Sequence, residues 1–251
     1  MPEIIDCHAH VDMNEPFGWF DPPEAILELM DEAGIARAIV MTYADAPAMG
    51  PGAIQYVADA VRRYPDRLVG FARMNPYYGQ ESARLLREAI TDLGFKGLKL
   101  HPESITALPY SPAVLGLIRL AAEHRAPVLF HTGDEPMSLP LQVAKAAELV
   151  PEAAIIMAHC GGYYHAEQAI AVAERHRNLL VDTSAIPYPD IVREAVQRLG
   201  PERVLFGSDG PGCNPALELK KVEMAGLSDR ERRLVLGENA LALLERVKHH
   251  L

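Results

Sequence analysis

Two histidines, His8 and His10, stand two positions apart at the end of the first apolar run of the chain. In a β-strand, residues i and i+2 point to the same side, so both imidazoles can approach one metal ion. Neutral imidazole binds Zn2+, and catalytic zinc sites add a carboxylate while leaving one position open for water. His131 and Asp209 could supply the remaining ligands. Such a centre would supply metal-bound hydroxide near neutral pH.

The elements that would position these residues alternate regularly, because short β-branched runs are followed by longer amphipathic segments. Strands are predicted at residues 4–8, 37–42, 67–73, 95–101, 127–131, 153–159, 178–183 and 203–208. Helices are predicted near residues 53–64, 80–93, 112–124, 139–149, 163–176, 188–199, 215–225 and 229–247. One more helix, between the first two strands, is marked by the N-cap candidate Asp21 with prolines after it and by Gly34 at its end.

This order of strands and helices indicates parallel βαβ units. Eight units in 251 residues predict an α/β fold, a single (β/α)8 TIM barrel with eight parallel strands over residues 1–251. Length alone would also allow two small domains. An open doubly wound sheet should carry a Gly-rich phosphate turn after its first strand, and His8-Ala9-His10-Val11-Asp12 stands there instead.

Reactive side chains cluster where the predicted strands end, and active sites of TIM barrels form at these ends. Five of the ten histidines fall there: His8, His10, His101, His131 and His159. The eighth strand lies beside the first once a barrel closes, which would bring Asp209 close to the histidine pair. The sequence therefore predicts one site at the carboxyl ends of the strands.

Taken in this order, these motifs resemble the amidohydrolase superfamily. The chain is more closely similar to the amidohydrolase-related group that also contains aminocarboxymuconate semialdehyde decarboxylase. The resemblance rests on Asp6-Cys7-His8-Ala9-His10 at the end of the first strand and on His131, His159 and Asp209 after later strands, and it runs from Ile4 to Gly237-Glu238-Asn239-Ala240 in the last helix. It implies a metal-dependent enzyme.

Carried over by position, the resemblance implies a metal ion held by His8, His10, His131 and Asp209. It also implies that Asp209 is the base that takes a proton from metal-bound water. His159 would either orient that water and polarise the substrate or bind a second metal. The cofactor is then a divalent metal, Zn2+ before Mn, Fe or Co, with one or two ions per chain.

Three further residues are candidates for the same pocket. Lys99, in Lys99-Leu100-His101-Pro102, resembles the carboxylated lysine that bridges two metals in dihydroorotase-like relatives; a buried ion pair or a substrate-carboxylate contact are the alternatives. His101 shares the face of Lys99 by strand parity and is expected to line the pocket. Arg73 is either a ligand for an anionic substrate group or an outward surface arginine.

The composition of the chain limits the classes of molecule that it is expected to bind. The chain has 24 basic and 34 acidic residues, a formal net charge of −10, and no basic stripe that would indicate nucleic-acid binding. No apolar run has the length of a membrane span, and the N-terminus does not resemble a signal peptide. With only three cysteines, we expect a cytoplasmic protein with reduced thiols and a small-molecule substrate. A homo-oligomer is the commonest assembly.

Three functions fit this pattern. The first is hydrolysis of an amide, ester or lactone by metal-activated water, because a compact chain leaves little room for the insertions expected of decarboxylases in this group. The alternative is metal-dependent, non-oxidative decarboxylation of an unsaturated or aromatic carboxylic acid, which Arg73 facing the pocket would favour. A non-catalytic metal-binding barrel is the third, and an open set of three histidines and a carboxylate argues against it.

Overall fold

The protein forms a barrel of eight parallel strands in a computed structural model that describes residues 3–48 and 52–250. Each strand pairs with the next along the chain. In chain order the strands are β1 (Ile5–His10), β2 (Arg37–Met41), β3 (Leu68–Arg73), β4 (Gly97–Leu100), β5 (Val128–Phe130), β6 (Ile155–Met157), β7 (Leu179–Asp182) and β8 (Val204–Leu205). The single (β/α)8 barrel predicted from the sequence is confirmed.

Backbone hydrogen bonds between β1 and the segment after β8 close the barrel. The Cys7 amide donates to the Phe206 carbonyl at 2.9 Å, and the His10 amide donates to the Gly210 carbonyl at 2.6 Å. Between these bonds, the Asp209 amide donates to the His8 carbonyl at 2.7 Å. Closure therefore brings Asp209 beside the histidine pair, as the barrel topology predicts.

Helices follow the strands and pack their apolar faces on the outside of the sheet. The α-helices comprise Pro23–Ala33, Ala53–Arg63, Gln80–Thr91, Pro102–Ile105, Pro112–Glu123, Pro140–Leu149, Gly162–Arg175, Pro189–Leu199, Pro215–Met224, Asp229–Arg233 and Asn239–Glu245. The first of them begins after Pro22, with no side-chain cap, so the predicted cap at Asp21 is wrong; Gly34 ends the helix in the left-handed conformation as predicted.

Two apolar clusters form the core. The larger one lies between sheet and helices and includes Val40, Leu98 and Phe130. The smaller one fills the barrel below the site and includes Phe71 and Leu129. Successive strand residues alternate between the two clusters, which is the period of a strand with both faces buried.

Gly97 in β4 makes room for the largest interior side chain. A Cβ atom at this position would lie 2.4 Å from the ring of Phe71, so only glycine leaves space for that ring. Lys99 is two residues further along the same strand and shares this inward face. The barrel interior is therefore closed by an aromatic ring directly below the polar residues of the site.

A register irregularity in β1 changes the side on which its residues lie. The pairing of β1 with β2 shifts between Asp6 and Ala9. Consequently Cys7 belongs to the interior cluster, although His8 and His10 also project to the site. Simple alternation along β1 would place Cys7 on the face opposite to the histidines, whereas the thiol packs inside the barrel.

Other departures from the predicted elements lie at strand ends and in the last helix. A two-stranded hairpin, Asp12–Asn14 with Trp19–Asp21, follows β1. The predicted helix 229–247 is interrupted by a π-helical segment, Leu234–Glu238. There the Val235 carbonyl accepts from the Phe206 amide, and a Cβ atom on Gly237 would lie 2.1 Å from the Glu3 carbonyl oxygen. The wider turn lets the helix backbone contact the barrel directly.

Candidate active site

The carboxyl ends of β1 and β8 bring together His8, His10 and Asp209. One carboxylate oxygen of Asp209 lies 3.1 Å from His10 Nε2 and 3.4 Å from His8 Nε2. Two ligand atoms that share an ion at about 2.0–2.2 Å lie roughly 3.0–3.5 Å apart at tetrahedral or octahedral angles. The three ligand atoms also lie within 4.8 Å of one another. Their spacing therefore fits a shared divalent ion.

Asp209 is held in this position by its own backbone and by its neighbour. Its φ of 62° is in the left-handed region, which is uncommon outside glycine and marks a constrained position. The adjacent Ser208 donates from its amide and hydroxyl to Asp6, at 2.9 and 2.5 Å. Burial raises the pKa of Asp209, but the electrostatic interaction with His8 and the hydrogen bond with His10 outweigh burial and hold this pKa well below its usual range. Asp209 is therefore an anion.

The other nitrogen of His8 is bound by residues that the sequence analysis missed. His8 Nδ1 lies 3.0 Å from Asp182 Oδ2 and 3.2 Å from Ser184 Oγ. Asp182 is the last residue of β7, and its side chain is fully buried. A carboxylate directly after the apolar run Leu179-Leu180-Val181 is the only sequence signal for it. Carboxylates commonly orient metal-binding histidines in this way.

Lys99 lies against the same histidine. Its Nζ is 2.7 Å from His8 Nε2, and only 1% of the residue is exposed. Burial lowers the pKa of Lys99 to about 7, against the opposing charge of Asp209. Burial and the Lys99 charge in turn lower the pKa of His8 to about 3. Neutral imidazole, the form that binds metals, is thus favoured at His8.

His159, after β6, occupies a turn that places its ring between two partners. Its backbone has a φ of 57°, and Gly161 and Gly162 continue the left-handed turn. His159 Nδ1 lies 2.9 Å from Ser184 Oγ, and its Nε2 lies 3.2 Å from His131 Nδ1. The His159 amide donates to Asp182 at 2.8 Å. His159 is therefore joined to His8 through Asp182 and Ser184.

His131 groups with His101 and Glu135 instead of with the His8 cluster. Its ring stacks on His101 at a centroid distance of 3.9 Å, and its Nε2 lies 3.0 Å from Glu135. Ligand atoms of His101, His131 and Glu135 gather within 4.8 Å, whereas His131 does not group with His8, His10 and Asp209 at that distance. The side chains as they stand therefore bring three of the four predicted ligands together. Metal binding by His131 stays a prediction.

Arg73, the last residue of β3, is buried and not on the surface. Its Nε donates to Asp45 at 2.8 Å, and its Nη2 donates to Ser104 at 3.1 Å. The outward-arginine alternative is wrong, because only 5% of Arg73 is exposed and the side chain lines the pocket. Beside it, burial and the Arg73 charge lower the pKa of His101 to about 2.

The site opens into two adjoining cavities that share His131 and Asp209. One, of about 340 Å³, is lined by the basic side chains of Arg73 and Lys99 and by the aromatic rings of Trp19 and Tyr43, among others. The other, of about 310 Å³, lies beside His159, Glu135 and Tyr163. A small molecule can therefore reach both the His8 cluster and His159.

The donor set fits a divalent metal. Imidazoles and carboxylates suit Zn2+, Mn2+ and Fe2+ alike, so the residue types alone do not select one ion. His8 has the Asp182 carboxylate behind it, as metal-binding histidines usually do. His10 Nδ1 is buried with no hydrogen-bond partner among the described residues, while the His10 ring stacks on Tyr43 at 4.4 Å.

Several solved structures with the same fold are decarboxylases of aromatic acids. The 2,6-dihydroxybenzoate decarboxylase from Rhizobium superposes with a TM-score of 0.78 at 17% identity, covering 98% of this chain and 99% of that one. The dihydroxybenzoic acid decarboxylase from Polaromonas, with bound manganese and the inhibitor 2-nitroresorcinol, gives 0.76 at 18% identity over 98% and 97%.

A third structure extends this comparison. The 5-carboxyvanillate decarboxylase from Novosphingobium aromaticivorans, complexed with manganese and 4-hydroxy-3-methoxy-5-nitrobenzoic acid, has a TM-score of 0.75 at 16% identity over 97% and 96% of the chains. At these identities the likeness shows the shared fold. Among curated proteins, no sequence matches this chain significantly.

These comparisons correct the predicted reaction. Hydrolysis of an amide, ester or lactone is wrong as the first choice, because several of the most similar solved structures, including the three described above, are decarboxylases. The hydrolase prediction depends on the shortness of the chain, yet the superposition covers 99% of the Rhizobium decarboxylase. A compact chain is therefore fully compatible with decarboxylation. Manganese in two of the relatives supports a divalent metal without selecting Zn2+.

The family itself is shown by the sequence. The amidohydrolase family pattern matches residues 5–246, from the first strand of the barrel to the end of its last helix. This range includes all the predicted site residues and agrees with the resemblance seen in the strand-end motifs. The chain therefore belongs to the amidohydrolase family.

Proposed function

We propose that this chain is a metal-dependent, non-oxidative decarboxylase of aromatic carboxylic acids. The observation that carries the proposal is the composition of one cavity. This cavity is lined by the Asp209 carboxylate, a predicted metal ligand, by two buried basic side chains, Arg73 and Lys99, and by the aromatic rings of Trp19 and Tyr43. The same fold carries this reaction in the Rhizobium and Polaromonas enzymes.

We propose that His8, His10 and Asp209 hold the ion, with His131 as the fourth ligand once its side chain turns towards them. The ion is proposed to be Mn2+ or Zn2+, since the donor set accepts both and two relatives contain manganese. When bound, it supplies Lewis-acid polarisation of an oxygen substituent on the substrate ring. A single ion per chain suffices for this role.

Arg73 is proposed to bind the anionic oxygen atoms of the substrate. Asp45 and Ser104 fix its guanidinium from one side at 2.8 and 3.1 Å. A guanidinium held in this way binds a carboxylate in a defined geometry, and it binds the carboxylate more strongly than a mobile charged side chain on the surface does. Orientation by Arg73 would set the carbon–carboxylate bond for cleavage.

Tyr43 and Trp19 are proposed to hold the substrate ring. Their rings lie 5.5 Å apart, and Tyr43 is stacked on His10, so its position is fixed relative to the predicted metal ligands. Apolar aromatic walls favour a planar ring, and they exclude water from the reacting carbon. This arrangement supports an aromatic acid better than a flexible aliphatic one.

The proton balance assigns a role to His159. The bond between the ring carbon and the carboxylate breaks, its electron pair stays on the ring carbon, and CO2 leaves. His159 Nε2 takes a proton from water, and the resulting imidazolium gives that proton to the ring carbon. His159 lines the cavity shared with Asp209. Asp209, an anion in the present arrangement, would stabilise the protonated imidazole as well as hold the ion.

The test is decarboxylation of a panel of hydroxylated benzoic acids by the chain loaded with Mn2+ or Zn2+. We expect release of CO2 that is lost on chelation and in Asp209→Asn. Asp190→Asn is the matched control, since Asp190 is an exposed carboxylate paired with Arg193 on an outer helix. Cleavage of esters or lactones with no CO2 release would contradict the proposal.

A further inference from the structure

Asp182 and Ser184 form a buried pair, and neither residue has a role in the function proposed above. Both side chains are fully buried at the end of β7. Asp182 Oδ1 accepts hydrogen bonds from the amides of His159 and Ser184, at 2.8 and 2.9 Å. The Ser184 hydroxyl donates to the same oxygen at 2.6 Å. The other oxygen, Oδ2, faces His8 Nδ1 at 3.0 Å.

These contacts determine where the protons lie. An ionised carboxylate only accepts hydrogen bonds, and a hydroxyl has one hydrogen to donate. Because the Ser184 hydrogen points to Asp182, its oxygen can only accept from His159 Nδ1, which lies 2.9 Å away. His8 Nδ1 faces acceptors as well, Asp182 Oδ2 at 3.0 Å and Ser184 Oγ at 3.2 Å. Both histidines must therefore carry a proton on Nδ1.

We infer that Asp182 and Ser184 are positioning residues that hold His8 and His159 in the Nδ1-protonated tautomer, with both Nε2 atoms facing the site. The inference rests on the proposed function for the use of these two atoms, one for the metal and one for the transferable proton. A single buried pair then sets two imidazoles with different tasks. The orientation of a metal-binding histidine by a carboxylate is typically worth 10–100-fold in metal affinity.

An ion pair between Lys221 and Glu218 holds the backbone segment that carries Ser184. Lys221 Nζ donates to the Thr183 carbonyl, and Glu218 accepts from the Ala185 amide at 2.9 Å. Lys221 and Glu218 are themselves paired at 2.6 Å. The peptide groups on both sides of Ser184 are thus tied to the helix Pro215–Met224. This support limits rotation of the backbone that directs the hydroxyl.

The test is the tautomer of each histidine, measured on the full chain with 15N-labelled imidazoles. Two-bond 1H–15N correlations distinguish a proton on Nδ1 from one on Nε2, and His8→Gln and His159→Gln assign the signals. In the metal-free wild type we expect Nδ1–H at both residues. In Ser184→Ala, His159 should populate the Nε2–H form, whereas His8 keeps Nδ1–H because Asp182 remains.

Zn2+ binding provides a second readout that does not depend on activity. Asp182→Asn should weaken Zn2+ binding about 10–100-fold. The control is Ser82→Ala, which removes an equally buried hydroxyl bonded to the Asn75 carbonyl and should change neither the tautomers nor Zn2+ affinity. Should Asp182→Asn fail to fold, Ser184→Ala decides the matter.

Two results would overturn the assignment: a neutral His159 in the wild type whose single proton lies on Nε2, or an unchanged His159 tautomer in Ser184→Ala. Either would leave the proposed decarboxylation untouched. Conversely, Nδ1–H at both histidines, together with a metal-loaded protein that releases no CO2, would support the assignment and contradict the proposed reaction.

Discussion

At the scale of single residues, Arg73 shows that burial determines how strongly a charged side chain can bind an anion. An exposed arginine at a strand end would be worth little, but this one is fixed by Asp45 and Ser104 and faces the pocket. The sequence left both possibilities open, because position after a strand does not determine exposure. A buried carboxylate partner is what turns Arg73 into a preorganised anion-binding group.

We predict that Arg73→Lys lowers kcat/KM at least about tenfold, because a lysine keeps the charge but loses the planar fork that contacts Asp45 and a substrate carboxylate. The measurement is steady-state decarboxylation of an active benzoate. Arg63→Lys is the control, since Arg63 pairs with Glu24 on the exposed surface. Equal kcat/KM for wild type and Arg73→Lys would exclude the substrate-binding role.

Lys99 allows a prediction about metal stoichiometry. Its amine lies 2.7 Å from His8 Nε2, where it can donate a hydrogen bond to this imidazole. We predict one ion per chain, by elemental analysis, in the wild type and in Lys99→Met. Two ions in the wild type and fewer in Lys99→Met would instead indicate the carboxylated bridge with His159 as a second ligand.

At the scale of elements, the sequence predicted the order of strands and helices well, and it failed mainly where strands end. Periodicity identifies buried strands and amphipathic helices, because many residues contribute to each pattern. The hairpin Asp12–Asn14 with Trp19–Asp21 has strands of three residues, too short for a period. The π-helical turn at Gly237 depends on a contact with Glu3, far away in sequence.

The site residues divide in the same way. His8, His10 and Asp209 were predictable because barrel closure joins the first and last strands. Asp182 was not, since a single carboxylate after an apolar run gives no sign of what it will contact. The separation of His131 from the His8 cluster depends on side-chain rotamers, which the sequence does not specify.

The close contact between Gly97 and Phe71 predicts how a substitution in strand β4 changes the stability of the barrel. Gly97→Ala should lower the free energy of unfolding by about 1–3 kcal/mol, because the added methyl group would overlap the Phe71 ring in a packed core. Chemical denaturation measures this change. Gly116→Ala is the matched control, because it lies on an exposed helix surface with no atom near the new Cβ and should be neutral or stabilising by up to about 1 kcal/mol. Equal destabilisation by both variants would contradict this packing.

At the scale of the whole molecule, one barrel carries all the predicted site residues at its carboxyl end. Within the described residues, no helix has the length and apolar character needed to cross a membrane. The domain limits 1–251 stay a prediction, since residues 1, 2, 49–51 and 251 lie outside the described part of the chain. A homo-oligomer also stays a prediction.

Because the predicted ligands come from the first and last strands, metal binding should stabilise the entire barrel. At a free Mn2+ concentration of 100 times Kd, the gain is about 2.7 kcal/mol. For a chain of this size we expect a rise in Tm of roughly 5–11 °C by calorimetry. Asp209→Asn should abolish the rise in Tm. The control is His165→Asn, which should keep the rise, because His165 is half-buried and pairs with Asp134, not with His8, His10 or Asp209. An equal rise in both variants would place the ion elsewhere.

The most direct test of the central claim follows the carboxyl carbon itself. The chain, purified and loaded with Mn2+, is incubated with hydroxybenzoic acids labelled with 13C at the carboxyl group, and the label is followed by NMR and mass spectrometry. We predict that the label appears as CO2 and bicarbonate, that the ring gains one proton, and that chelation stops the reaction. Full metal occupancy with all the label retained in the acids, or metal-dependent hydrolysis of esters or lactones instead, would contradict the account.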